Sequence, residues 1–336
     1  MILCEAGHRI GADRRRDDII MANEKPTVAV LGPGGVGGLL AGLLARTGHR
    51  VICLASDDTA RTLRTAGLRV RTLGDGDGET FSEFTVPVEA DGVLREEVDF
   101  CLVAVKETGL DDALDRVPPA ALGDAVLVPF LNGVEHPAAL RERYRADLVA
   151  PAAIRVESTR TAPGVIERGS PFTEVDLTLG DGTVDRERIH VLARALDSAG
   201  VSRVRVYDEE TAPLWAKLRF LAPFALLTTR YALPLGDVRT RHRDELRALL
   251  EEAAAVGHAS GTPTDPAPDR ALIDRELSRY DAFPARAKSS MQRDAEAGRP
   301  LELDAIGGSL LRAAERHGVS VPVTARVVAE LRAAGH

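Results

Sequence analysis

Residues 27–38 read TVAVLGPGGVGG. An apolar run containing Val28, Val30 and Leu31 stops at Gly32, and Gly34 and Gly37 complete a G-x-G-x-x-G pattern before an apolar stretch at 39–45. The expected local structure is strand, tight turn, helix. Gly32 lets the chain turn sharply, Gly34 lets backbone approach a pyrophosphate with no Cβ in the way, and Gly37 lets the helix pack close to the strand. Gly35 and Val36 open that helix, whose unpaired N–H groups attract an anion. The stretch therefore reads as a dinucleotide cradle, with a plain glycine turn as the alternative.

Working outward, 336 residues suffice for two domains with sizeable cores. A 44% hydrophobic and 28% charged composition argues against general disorder. A net charge of −8 gives no nucleic-acid footprint. No run reaches the ~18 apolar residues of a membrane span. Cys4, Cys53 and Cys101 cannot all pair, and two of them fall in apolar strand patterns, as expected of core residues in a reducing, cytoplasmic setting. The histidines lack ligand spacing, so no metal site is expected. Residues 1–24 read as a loose tail, interrupted by Glu5, His8 and Arg9 before any signal-peptide core, and Met21 offers an alternative start.

Beyond the glycine turn, residues 50–55 (RVICLA) read as a second strand ending at Ser56, Asp57 and Asp58, where such folds contact the adenosine ribose. A carboxylate there accepts from a 2′-hydroxyl and repels a 2′-phosphate, which favours NAD(H). Asp57 or Asp58 as the N-cap of a helix over 58–66 is the competing reading, and Arg61 or Arg64 offers positive charge nearby. Strands are expected at 69–73, 81–88 and 98–105 (VDFCLVAV), the last an apolar run suited to a central parallel strand. It ends at Lys106. The next run, 125–131, ends at Asn132-Gly133. Two buried strands thus each deliver a polar residue to the carboxyl edge, where open α/β sheets bind ligands. The plainer readings are an exposed lysine leading a helix and an Asn-Gly turn.

Strands at 148–156, 164–167, 173–179 and 201–206 and a helix at 185–199 complete this half. From residue 209 the pattern is helical throughout: 209–230, 238–260, 267–280, 284–297, 303–317 and 322–334. The expected organisation is a tail (1–24), a dinucleotide-binding α/β domain (25–207) and a helical domain (208–336). Within LWAKLRFLAPFALLTT (214–229), Lys217 is costly to bury without a partner or a task, snorkelling at a domain edge being the alternative. Ser289, Ser290 and Glu302 surround a Gly-Arg-Pro break, where Glu302 also suits a helix N-terminus.

The chain resembles the ketopantoate reductase (2-dehydropantoate 2-reductase) family. The resemblance is carried by GPGGVG, VAVKETGLDDAL, LNGVE, APGVI, LWAKL and SSMQRDAEAGRPLELDAIGG in that order. It implies a Rossmann domain joined to a helical domain, reduction of a 2-oxo acid with NADPH in the cleft between them, and a place in pantothenate biosynthesis. By the same resemblance Lys217 and Glu302 are catalytic, Lys106 and Asn132 line nicotinamide and substrate, and Ser290 binds substrate. Four positions depart from the family pattern. Leu221 and Ala225 stand where the family has substrate-binding asparagines, Ser56 stands where it commonly has an arginine for the 2′-phosphate, and Gly307 replaces the asparagine of a late Asn-Gly.

The expected activity is therefore an NAD(P)H-dependent reductase of a 2-oxo acid or related ketone. One alternative is a less polar carbonyl substrate from specialised metabolism, suggested by Leu221 and Ala225; another is a non-catalytic dinucleotide-binding regulator or scaffold. The resemblance favours NADP(H) and local charge favours NAD(H); NADP(H) is kept ahead because other arginines can replace the missing one. The expected partner is a small carbonyl compound, with neither nucleic acid nor membrane, and the apolar C-terminal helices suit a homodimer interface as well as an interior.

Overall fold

The computed structural model describes residues 25–74, 80–169, 171–261 and 270–335. The expected tail at 1–24, and Cys4 with it, lies outside the described residues. Strand β1 (Val28–Leu31) is followed by α1 (Gly35–Arg46), β2 (Val51–Leu54), α2 (Asp57–Ala66), β3 (Leu68–Leu73), β4 (Thr80–Val86), β5 (Glu89–Asp91) and β6 (Phe100–Val103). Then come α3 (Leu110–Leu114), α4 (Pro119–Leu122), β7 (Val126–Pro129), α5 (His136–Arg143), β8 (Ala152–Arg155), β9 (Ser158–Ala162), β10 (Val165–Arg168), β11 (Glu174–Thr178), α6 (Arg186–Ser198) and β12 (Arg203–Tyr207).

A parallel sheet in the order β5-β2-β1-β6-β7 forms the centre, and every residue of β1, β2, β6 and β7 is buried. From β1 the chain builds outward to β2 and β5 on one side, then returns to lay β6 and β7 on the other. The reversal falls between β1 and β6, the switch point where ligands bind at the carboxyl ends. A mixed sheet, β4-β3-β10-β9, covers α1, and a third sheet, β12-β11-β8, extends the domain. Gly35, Gly38 and Gly42 lie on the face of α1 turned to that mixed sheet, where added Cβ atoms would strike Ser158, Ile166 and Val70. This glycine face is what lets a second sheet lie against the helix. Cys53 and Cys101 are free and buried on β2 and β6.

The second half is helical: α7 (Thr211–Tyr231), α8 (Leu235–Arg241), α9 (Arg243–Ala259), α10 (Arg270–Ala282), α11 (Ser290–Glu296), a π-helical turn at Asp304–Gly308, α12 (Ser309–His317) and α13 (Pro322–Ala333). Helix α7 is the axis. Trp215, Leu218, Ala222, Leu226 and Leu227 on it are buried against residues of α9, α12 and α13 in a core separate from the two that flank the parallel sheet. Truncating one such leucine to alanine costs about 2–5 kcal/mol.

Several expected elements are redrawn. The strand read over 81–88 ends at Val86, and β5 is a separate strand; 148–156 shortens to β8, and β9 had not been anticipated. The helix read over 238–260 is two helices meeting at His242, and that over 284–297 begins only at Ser290, because a turn at 284–287, closed by the Ala287 N–H on the Pro284 carbonyl, and the hydrogen bonds of Leu235 and Gly236 to Ala287 and Ala285 hold the preceding segment against α8. The N-cap of α2 is Ser56, with extended backbone (φ −61°, ψ 154°), so Asp57 and Asp58 occupy the first turn.

Candidate active site

Gly32 follows the last residue of β1 with φ +83°, a left-handed conformation that glycine adopts freely. A Cβ at this position would also collide with Val105 on the neighbouring strand's exit, so the switch point closes only around glycine. Helix α1 then starts with no side-chain cap and no acidic residue in its first turn. Around Gly34 the position of a Cβ is open, with only the Gly32 carbonyl oxygen at 3.9 Å. An uncapped, positively polarised helix end beside open space is what a pyrophosphate requires.

At the end of β2, Ser56, Asp57 and Asp58 are exposed. Asp58 is already paired with Arg61 at 2.8 Å, and Arg64 donates to the Ala90 carbonyl at 2.8 Å, so both nearby arginines are engaged.

The other residues singled out in the sequence meet across the two halves of the chain. Lys106, just beyond β6, donates to Asp294 of α11 at 2.6 Å. The lysine side chain is 43% exposed and the aspartate 4%, so the charge pair has one face open to solvent. Asp294 also accepts from Arg299 at 2.9 Å. Glu302 is 5% exposed. A carboxylate so buried needs partners, and both come from the α/β domain: its Oε2 accepts from Asn132 Nδ2 at 3.0 Å and its Oε1 from the Glu107 backbone N–H at 3.3 Å. Gly133, with φ +82°, lies against Ala305 at the start of the π-helical turn, where a Cβ would overlap the Ala305 carbonyl oxygen.

Lys217 is half-buried on α7 and donates to the carbonyl of Leu131, the residue before Asn132, at 3.0 Å. Loss of solvent around its ammonium brings its pKa down to about 8; Glu302 pulls it back up, and Arg155 pushes it down. A lysine held there is charged at neutral pH yet ready to give up a proton. Arg155 is itself paired with Asp176 at 2.7 Å.

Ser290 is half-buried as the first residue of α11. Its neighbour Ser289 is the cap of that helix, accepting from the Gln292 N–H at 3.0 Å and lying 2.9 Å from Thr228 Oγ1 of α7. Leu221, half-buried, and Ala225, fully buried, follow Lys217 one and two turns along α7. Three groups at the site were not singled out in the sequence. Asp294 lay unremarked within the SSMQRD motif, although its spacing from Ser290 puts it one turn along the same helix. Glu107 participates through backbone, which has no sequence signature. His136, at the start of α5, is 6% exposed with both ring nitrogens unpartnered among the described residues, and burial holds its pKa down at about 3.

The family model for ketopantoate reductase PanE/ApbA matches residues 28–181, and that for the ketopantoate reductase PanE/ApbA C terminal matches residues 211–335. A 2-dehydropantoate 2-reductase of Caulobacter vibrioides is 29% identical over 317 residues, covering 92% of this chain and 99% of the relative. An uncharacterized oxidoreductase of Bacillus subtilis, YkpB, is 28% identical over 306 residues, covering 90% and 97%. The crystal structure of 2-dehydropantoate 2-reductase from Geobacter metallireducens superposes with a TM-score of 0.80 at 25% identity, over 92% of this chain and 99% of that one. With both halves matched in order, the protein belongs to the ketopantoate reductase PanE/ApbA family.

Proposed function

We propose that Lys217 is the proton donor of a carbonyl reduction and that Glu302 holds and tunes it. As a member of its family the chain is an NAD(P)H-dependent oxidoreductase acting on a 2-oxo acid. The observation that carries the proposal is the meeting of Glu302, Asn132 and Lys217 at the carboxyl edge of the parallel sheet, with two of the three contributed by the helical half.

The uncapped start of α1 and the open space at Gly34 fit a dinucleotide pyrophosphate, so Gly32, Gly34, Gly35, Val36 and Gly37 are assigned to it, with Ser56 and Asp57 at the adenosine ribose. The bound cofactor supplies a hydride to the carbonyl carbon. The chain's part is to stabilise negative charge on the carbonyl oxygen and protonate it, giving a 2-hydroxy acid. Lys217 as ammonium does both, since a donor with a pKa near 8 is mostly charged at pH 7 and transfers its proton readily. Glu302 favours the ammonium form by its charge. Asn132, restrained by Glu302, and Lys106, at the end of the neighbouring strand, are assigned to order nicotinamide and substrate. Ser290 is assigned to the substrate's polar end. NADP(H) is the preferred cofactor, with NAD(H) second. Domain limits of 25–207 and 208–336 are assigned with this division of labour, and a homodimer is the assembly proposed.

A second reading concerns the substrate. Leu221 presents an apolar, half-buried side chain one turn from Lys217, which favours an oxo acid less polar than ketopantoate. A hydroxyl placed there without a partner costs about 1–3 kcal/mol. The test is oxidation of NADPH and NADH with ketopantoate and with a panel of alkyl and aryl 2-oxo acids. Turnover of ketopantoate above the panel supports the family reaction; preference for an apolar member supports the second reading. Cofactor binding without oxidation across the panel would leave a non-catalytic dinucleotide-binding protein.

A further inference from the structure

The adenosine end of the cradle has a basic group that the motif pattern does not point to. Arg116 lies two residues beyond α3, far in sequence from β2, yet its Nη1 donates to the Ala55 carbonyl at 3.0 Å and to the Gly92 carbonyl at 2.8 Å. Ala55 is the residue before Ser56, and Gly92 directly follows β5, the strand beside β2. One guanidinium nitrogen therefore pins the two loops that flank the ribose position. Nη1 has both of its hydrogens engaged in this way, whereas Nη2 and Nε have no partner among the described residues. The side chain is half-buried and so held in place.

The surrounding charges are otherwise matched. Asp58 is paired with Arg61, Asp91 takes both oxygens to Arg95 at 2.8 and 2.9 Å, and Arg64 is turned to the Ala90 carbonyl. Asp57 and Arg116 remain, both approaching the same face of Gly92. A carboxylate accepts from a ribose 2′-hydroxyl and repels a 2′-phosphate; a fixed guanidinium with free N–H groups does the reverse and can grip a phosphate with two of them.

We propose that Arg116, reaching in from the far side of β1, reads the 2′-phosphate of NADP(H) in place of the arginine that Ser56 does not supply. The proposal rests on the dinucleotide-reductase reading above and names the residue that decides between its two cofactors.

The test compares wild type with Arg116→Ala and Arg116→Lys, using kcat/KM for NADPH and NADH and the binding of 2′-AMP and 5′-AMP measured by calorimetry. The wild type is expected to prefer NADPH and to bind 2′-AMP. Arg116→Ala should lower kcat/KM for NADPH by roughly 10- to 100-fold, mostly through KM, with NADH moved far less and 2′-AMP binding lost. Arg116→Lys should recover part of the NADPH loss. Equal losses with both cofactors would make Arg116 a loop brace only, and a wild type indifferent to the 2′-phosphate would also overturn the proposal. If no 2-oxo acid is reduced but 2′-AMP binds through Arg116, the reductase reading fails and this one stands.

Discussion

Asn132 donates its side-chain amide to the Glu302 carboxylate at 3.0 Å, and the two residues belong to different halves of the chain. The second carboxylate oxygen is taken by the Glu107 N–H of the same α/β domain. Glu302 is therefore held by the opposite half of the molecule while its charge acts on Lys217 in its own. A glutamine at this position has one acceptor where two are used. Glu302→Gln is expected to reduce kcat/KM by roughly 10- to 100-fold. Its basic pH limb should also move below that of the wild type, because the charge that raises the Lys217 pKa is gone. Steady-state rates from pH 6 to 10 check both, and an unmoved limb would separate Glu302 from the lysine.

As the proposed proton donor, Lys217 has to carry its proton. With its pKa at about 8, reduction should be flat near neutrality and fall about tenfold per unit above that value. Lys217→Ala should lower kcat by roughly 100- to 10,000-fold while the affinity for reduced cofactor, measured by fluorescence, stays close to that of wild type. Preserved turnover would remove the lysine from the chemistry.

Gly133 meets Ala305 backbone to backbone across the two halves. Gly133→Ala forces a left-handed conformation on a residue with a Cβ, which costs about 1–3 kcal/mol, before the collision with the Ala305 carbonyl is counted. Thermal or denaturant unfolding should register the loss, and activity should fall with it because Asn132 is the preceding residue.

His136 predicts how the protein meets acid. Its folded-state pKa is depressed to about 3 against an ordinary 6.5, chiefly by burial. As pH falls through 6.5 the unfolded chain takes up a proton that the folded chain refuses until about 3, so stability is lost across that window. In His136→Leu this contribution is absent, and the difference in unfolding free energy, variant minus wild type, should grow as pH is lowered from 6.5 towards 3. A constant difference would show that the ring does not stay neutral.

The parallel core was legible because β1, β2, β6 and β7 are buried on both faces and so read as short unbroken apolar runs. Strands β5 and β9 escaped notice for the opposite reason: EAD and STRTA are polar, placed at or near sheet edges, and held by pairing rather than by burial. At the site, Lys217 stood out as a charge in an apolar helix, and Lys106 and Asn132 as polar ends of apolar strands. Arg116 and Asp294 could not be found this way. Their meaning comes from residues 61 and 188 positions away, with which no local pattern associates them. Ser289 and Ser290 show the limit within a motif: two adjacent serines look alike in sequence, and only the helix start makes the first a cap and the second a half-buried residue of the first turn.

The Lys106 to Asp294 ion pair spans the cleft with one side open to water. A molecule entering beside Lys106 competes with an aspartate that can fall back on Arg299, so loosening the pair strands no charge. Glu302, by contrast, takes both of its hydrogen bonds from the opposite half, so the contact that can be exchanged and the contact that cannot lie side by side. A ligand can therefore displace the lysine from its partner without disturbing the carboxylate that sits beside Lys217.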